Sequence, residues 1–380
     1  MSRQTLDRSI LQGESIELFR AAIRNSATRD PYERRLIGFL KDVNITPDEF
    51  VTMAKKDARL FERKIISFIS TQNLRTEKGE ITSGTVSNSL KAIKLLLEMN
   101  DVSLNWKKIR RVLPRARRYA LDRIPTIEEV QHIVGAADFR GKALTLVFTS
   151  SGLREGAIQH LTLGDYTLIK QDEKIVAGRL LVYSKDPEEY VTFITPEACD
   201  ILDRYIAFRG EHGEKVYSTS PLFRDKFDPI RGIYGHSKHS KGVVLPMTAP
   251  AVRQYYNRLL FSLGIRNQKM RRHEFSVHGF RKFFKTKAEI GGMKPINVET
   301  LMGHSTGISD SYYRPTETEL LHDYVKIVDQ LTISNESRLK AEAAEINKLK
   351  EHDTLNADVV ATLSDEVIKL KLEVQELKKR

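Results

Sequence analysis

The chain has one cysteine, Cys199, in 380 residues, which excludes an internal disulfide and any zinc site built from cysteines. A reducing interior is the natural setting for such a protein. Long apolar runs are also missing. No window approaches the roughly 18 uninterrupted apolar residues of a membrane helix, and residues 1–20 lack the basic, apolar and small-residue order of a secretory signal. These absences lead to the expectation of a cytoplasmic protein with no membrane partner. Acidic side chains are the scarcer charge, 50 Asp and Glu against 62 Lys and Arg, for a net charge of +12. The shortage is uneven. Residues 336–380 hold nine basic and ten acidic side chains, so the whole basic excess belongs to the chain before them. An excess carried by the body of a protein suits a phosphate-backbone partner better than a simple need for solubility.

What is present reads as mainly α with a small β-sheet. Residues 1–15 are polar. From residue 16 to 113 the apolar spacing is helical: Ile16, Phe19, Ala22 and Ile23 share a face, as do Phe61, Ile65, Phe68 and Ile69, and then Val86, Leu90, Ile93 and Leu97. Thr46-Pro-Asp-Glu49 supplies a capping box with proline at the first helical position. Between Trp106 and Arg118 the run WKKIRRVLPRARR has no acid, and Lys107, Lys108, Arg110, Arg111, Arg115, Arg117 and Arg118 repel one another unless a polyanion lies beside them. Residues 114–125, punctuated by Pro114 and Pro125, read as a basic linker crossing a DNA backbone.

A second domain, residues 126–333, opens on the capping box Thr126-Ile-Glu-Glu129 and continues with an apolar helix over about 141–150. Residues 175–194 alternate about a Lys-Asp-Pro-Glu turn, a hairpin with Lys185 at its tip. Thr195 and Thr248 each begin a further helix. The stretch 225–244 is rich in glycine and basic residues, and leaves His236, Lys238, His239 and Lys241 free to reach DNA. Thr316 caps a helix whose Leu320, Leu321, Tyr324, Ile327, Val328 and Leu331 form an apolar stripe. Beyond it Ile346, Leu349, Val360, Leu363, Val367, Leu370, Val374 and Leu377 alternate in threes and fours, interrupted at Asp353 and Asn356. This predicts a parallel two-stranded coiled coil over 336–380, with a lone helix folded back on the body as the alternative.

The chemistry concentrates in HGFRKFFKTKAEIGGMKPINVETLMGHSTGISDSYY, residues 278–313. His278-Gly-Phe-Arg281 resembles the His-x-x-Arg box of tyrosine recombinases, the phage-type and archaeal integrases. Leu301-Met-Gly-His304 followed by Tyr313 resembles that family's Leu-x-Gly-His…Tyr box. Upstream, Ser151-Gly-Leu-Arg154, with Leu161 and Asp165, resembles its first arginine box. One departure stands out: the acid usual three positions after the arginine is Ala157 here, and Glu155 is adjacent instead.

The resemblance is strong from Arg154 to Tyr313 and weak in the amino-terminal half, which would be the family's core-binding domain. It implies that Arg154 and Arg281 neutralise the scissile phosphate bidentately. His278 and His304 would bond the same oxygens or move the nucleophile's proton, and Lys185, or failing it Lys174, would protonate the leaving 5′ oxygen. Tyr313 would attack phosphorus to form a 3′-phosphotyrosine. Adjacent residues on a helix point about 100° apart, so only one of Tyr312 and Tyr313 can serve. No metal or other cofactor is implied, and His273, His278 and His304 lack a carboxylate at a supporting spacing. The resemblance further implies a mobile-element integrase of a prokaryotic host, acting on a specific double-stranded site as a homotetramer through a Holliday junction. The last helix would dock on a neighbouring protomer, with the coiled tail pairing protomers or recruiting a partner. Two other readings stay open: a type IB topoisomerase-like nicking and rejoining enzyme, and a non-catalytic architectural DNA-binding protein.

Overall fold

The computed structural model describes residues 8–24, 26–115, 123–225, 244–266, 275–305, 307 and 312–334. Arg117, Arg118, His236, Lys238, His239, Lys241 and His273 lie outside the described residues, as does the heptad region 336–380. No described helix is long and apolar enough to cross a membrane. The chain divides into two compact units, residues 1–119 and 120–380, each with its own buried core.

The first unit is built from α1 (Glu14–Ala21), α2 (Ser26–Val43), α3 (Pro47–Lys56), α4 (Ala58–Glu77), α5 (Ser83–Met99) and α6 (Trp106–Arg110). The apolar faces predicted from spacing are the ones buried: Ile16 and Phe19, then Phe61, Ile65, Phe68 and Ile69, then Val86, Leu90, Ile93 and Leu97. Ala22 is the exception. It lies exposed just past the end of α1, while Ile23 beside it is buried in the core. The Thr46 box forms as expected, Glu49 N donating to Thr46 Oγ1 at 3.3 Å while Thr46 N donates to Glu49 Oε2 at 2.8 Å.

The basic run begins inside this unit. Ile109 is fully buried, Trp106, Val112 and Leu113 pack against the core, and Asn73 Nδ2 donates to Val112 O at 2.9 Å. Lys107, Arg110, Arg111 and Arg115 are exposed, whereas Lys108 pairs with Glu62 at 2.9 Å. The residues up to Leu113 are therefore part of the helical unit, because three apolar side chains among the cations have a core to enter.

The second unit is a helical body with one small antiparallel sheet. Its helices are α7 (Ile127–Ala136), α8 (Phe139–Ser151), α9 (Pro196–Glu211), α10 (Ala249–Ser262), α11 (His278–Ile290), α12 (Pro295–Leu301), α13 (Glu317–Val325) and α14 (Val328–Leu331). Strands β1 (Tyr166–Gln171), β2 (Lys174–Val182) and β3 (Tyr190–Ile194) pair in that order. The β2–β3 hairpin matches its sequence pattern. Strand β1 was not foreseen: it turns into β2 through Asp172 and Glu173, both at positive φ (46° and 63°), in a tight turn without the glycine that usually announces one.

Helix α8 is the axis of the unit, buried along nearly its whole length and packed against α7, α9, α11 and β3. Four hydroxyl residues sit on it, and each returns a hydrogen bond to the carbonyl one turn back, as Thr149 Oγ1 does to Thr145 O at 3.0 Å. The helix can thus enter a dry core without orphaned polar groups. It ends at Gly152, whose φ is +63° and where a Cβ would overlap the Phe284 ring. Gly152→Ala is therefore expected to cost about 1–3 kcal/mol from left-handed strain and overpacking, read as a fall in the unfolding midpoint.

The carboxyl-terminal stripe is consumed within the same chain. Leu320, Tyr324, Ile327 and Leu331 are buried in the second unit's core, and Tyr324 Oη donates to Ser150 O at 2.8 Å. Ile333 N and Ser334 N both donate to the Glu197 carboxylate, at 2.7 and 2.8 Å. The stripe that the family resemblance assigned to a neighbouring protomer is committed to its own core.

Candidate active site

Three segments distant in sequence meet at one hollow of about 600 Å³. The turn after α8 brings Arg154, the start of α11 brings His278 and Arg281, and the turn after α12 brings His304. Arg154 does not begin an α-helix, although its box in the sequence places it at a helix start. It precedes a turn and a single 3-10 turn at Ile158–His160. Arg253, Asn257 and Arg266 from α10 and the residues after it also line the hollow, with Tyr183 and Glu155. Among the described residues, four arginines and two histidines line it with one carboxylate. An excess of that sign in a concave, partly dry site is an anion trap.

Arg281 anchors it. The side chain is 3% exposed and donates to Gly152 O, to Met302 O at 2.7 Å, and to His304 Nε2 at 2.7 Å. Burial, and next the neighbouring Arg154 cation, hold its pKa below the ordinary guanidinium value. Among the described residues no carboxylate pairs with it, so its charge is solvated by dipoles and remains available to a ligand. The Arg154 side chain makes no hydrogen bond or ion pair among the described residues, although its carbonyl accepts from Ala157 N at 2.9 Å. Glu155 does not brace it: that carboxylate lies 3.4 Å from Arg253, and burial raises its pKa.

His304 is held on both sides. Its Nδ1 meets Glu299, whose other oxygen accepts from Lys285 Nζ. Burial alone would raise the Glu299 pKa, but the hydrogen bonds from Lys285 and His304 outweigh it and the value is lowered. Beside them Tyr190 lies against Gly303, at φ +64°, where a side chain would overlap its ring. Burial pushes the Tyr190 phenol up to about 12 against the pull of Arg281.

Two expected members stand elsewhere. Lys185 is exposed on the β2–β3 turn at φ +67°, its backbone N donating to Glu189 Oε2 at 2.7 Å, and it does not line the hollow. Lys174, the other candidate, is exposed at the start of β2. Tyr313 is not beside the arginines. Its hydroxyl donates to Asn297 Oδ1 at 2.9 Å, and Asn297 Nδ2 is tied to Asp323 Oδ2 at 2.8 Å. It lines a second hollow of about 470 Å³ that shares no residue with the first. Tyr312, the other tyrosine of the pair, is 86% exposed, whereas Phe280, Phe283 and Phe284 on α11 are buried.

Sequence reasoning missed Tyr183, Arg253, Arg266 and Glu299. Tyr183 reaches the hollow from a non-glycine position at φ +57°, which no local pattern announces. Arg266 is buried with its Nε and Nη2 on Phe275 O at 3.0 and 2.8 Å.

No family model matches the sequence, and no curated protein matches it. Solved structures do. The XerA recombinase is 18% identical, covering 82% of this chain and 97% of its own, with a TM-score of 0.37. The Tn1549 transposon integrase in complex with a circular intermediate DNA is 14% identical over 87% of this chain and 99% of its own, at 0.49. The XerH site-specific recombinase bound to its palindromic difH substrate is 16% identical over 76% and 72%, at 0.47.

Proposed function

We propose that the chain is a tyrosine recombinase that cuts and rejoins DNA strands. The observation that carries this reading is the hollow in which, among the described residues, Arg154, Arg281, His278 and His304, with two further arginines, face one carboxylate. A phosphodiester resists attack because its oxygens are negative, and the charge concentrates as phosphorus becomes pentavalent. Fixed cations that need not reorganise lower that barrier most.

In the proposed reaction the Tyr313 oxygen forms a bond to phosphorus while the bond to the 5′ oxygen breaks. The phenolic proton passes to His278 or His304, and Lys185 supplies a proton to the leaving oxygen. The phosphotyrosine conserves the ester, so a 5′ hydroxyl from a second strand can reverse the step. For this Tyr313 must leave Asn297. A single neutral hydrogen bond is worth about 0.5–1.5 kcal/mol net, so the contact is a resting place that DNA binding can overcome. Exchange of two strand pairs would need four subunits, and the heptads of residues 336–380 would help assemble them or recruit a partner. The exposed Lys107, Arg110, Arg111 and Arg115 would hold the DNA backbone.

The test is a nicked duplex carrying the element's junction sequence, on which cleavage frees a short strand and traps the enzyme. The wild type is expected to give a denaturant-resistant protein–DNA adduct, and Tyr313→Phe none. Tight binding without an adduct would favour an architectural protein. Adducts without junctions between two labelled duplexes would favour a nicking and rejoining enzyme.

A further inference from the structure

We infer that Glu299, clamped by Lys285, is the positioning residue of His304: it fixes the ring with its proton on Nδ1 and directs Nε2 into the arginine-lined hollow. The inference deepens the proposed strand-cleavage reading and rests on it for the role of the hollow. Arg281 Nη2 lies 2.7 Å from His304 Nε2, and a guanidinium has no acceptor. His304 Nε2 must therefore carry the lone pair, and the neutral ring has its proton on Nδ1. The group facing Nδ1 is the Glu299 carboxylate, which can only accept. Both partners demand the same tautomer, from opposite edges of the ring.

The carboxylate is itself restrained. Lys285 Nζ bonds its second oxygen, and Glu289 lies 3.3 Å from the same ammonium. Lys285 and Glu289 come from α11, which also carries Arg281, whereas Glu299 comes from α12. The chain Glu289–Lys285–Glu299–His304–Arg281 thus links the two helices through side-chain ion pairs and hydrogen bonds. When a phosphate enters and accepts the Arg281 N–H that His304 Nε2 held, the guanidinium stays on its carbonyls and Nε2 is left facing the anion with a carboxylate behind the ring. In that arrangement the imidazole can take up a proton and bond a phosphate oxygen, its new charge balanced by Glu299. A carboxylate behind a working histidine orients the ring and stabilises its protonated form, and removal of such a partner costs about 10–100-fold in activity.

The experiment has two arms on the full chain. In the first, histidine is labelled with nitrogen-15 and the long-range proton–nitrogen correlations of His304 are recorded at mildly alkaline pH without DNA. Wild type is expected to show the Nδ1–H pattern. Glu299→Ala should shift the ring towards the Nε2–H form that free imidazole favours. In the second, single-turnover adduct formation on the nicked duplex is compared with duplex affinity. Glu299→Gln is expected to slow the adduct step about 10–100-fold with affinity unchanged, Glu299→Asp to recover part of the rate, and Lys285→Met to lose less than Glu299→Gln. If Glu299→Ala does not fold, the near-isosteric Glu299→Gln still carries the second arm. An Nε2–H pattern in the wild type, or a Glu299→Gln enzyme as fast as wild type, overturns the inference. A wild type that never forms an adduct sinks the strand-cleavage reading instead, and the Glu299–His304 couple is then decided by the nitrogen pattern, which needs no DNA.

Discussion

Arg281→Ala is expected to slow adduct formation by about a thousandfold. Its two donors on Gly152 O and Met302 O fix the guanidinium beside Arg154 without using a carboxylate. Its full charge therefore meets the phosphate, and removal of one preorganised donor to a developing oxyanion costs about 10²–10³ in rate. Arg281→Lys keeps the charge but cannot span two carbonyls and an anion with one ammonium, so a loss of about a hundredfold is expected. The alanine variant also leaves two carbonyls short of a donor, at a cost of about 1–3 kcal/mol in stability. Single-turnover rates beside a denaturant melt separate the two effects. An alanine variant within about tenfold of wild type in rate would remove Arg281 from the reaction.

Glu214→Ala carries the largest expected effect on stability. Arg209 is fully buried and bonds Glu214 through Nη2 at 2.5 Å and Nε at 3.2 Å, while Arg224 Nη1 reaches the same carboxylate at 2.8 Å. Arg209 Nη1 also donates to Pro221 O and Leu222 O, at 2.9 and 3.1 Å, tying the end of α9 to the segment that pairs with residues 245–247. Deleting the acid strands two buried cations, which costs about 3–5 kcal/mol and lowers the melting point on the order of 10 °C. The acid limb follows from the same contacts. Burial opposes ionisation of Glu214, but the two arginines prevail and its pKa is lowered. Its contribution is therefore complete above the ordinary carboxylate value and is lost as pH falls through the lowered one. Glu214→Gln should flatten that part of the stability profile. A melting point within about 2 °C of wild type for Glu214→Ala would contradict the account.

Much of the fold was legible because its signals are local. Thr46, Thr126, Thr195, Thr248 and Thr316 each cap the helix they announce, and an N-cap needs only the three residues after it. Strand β1 was hidden because Asp172 and Glu173 adopt positive φ without glycine. The arginine and histidine boxes could be read as motifs, but their setting could not. Arg253 and Arg266 look like ordinary surface cations until the packing of α10 turns them towards the hollow. Glu299 sits five residues before His304, one turn and a loop away, and only the bend after α12 brings its carboxylate to the ring. The resting position of Tyr313 depends on Asn297 and Asp323, which no box contains.

The most direct measurement is a structure of the Tyr313→Phe protein on its uncleaved duplex, the variant chosen so that the strand stays whole. The account predicts one backbone phosphate within hydrogen-bond distance of both Arg154 and Arg281, His304 Nε2 facing the same group, and the residue-313 ring moved from Asn297 to that phosphate. A duplex bound with every phosphate outside the hollow, and none within reach of Arg154 or Arg281, would contradict it.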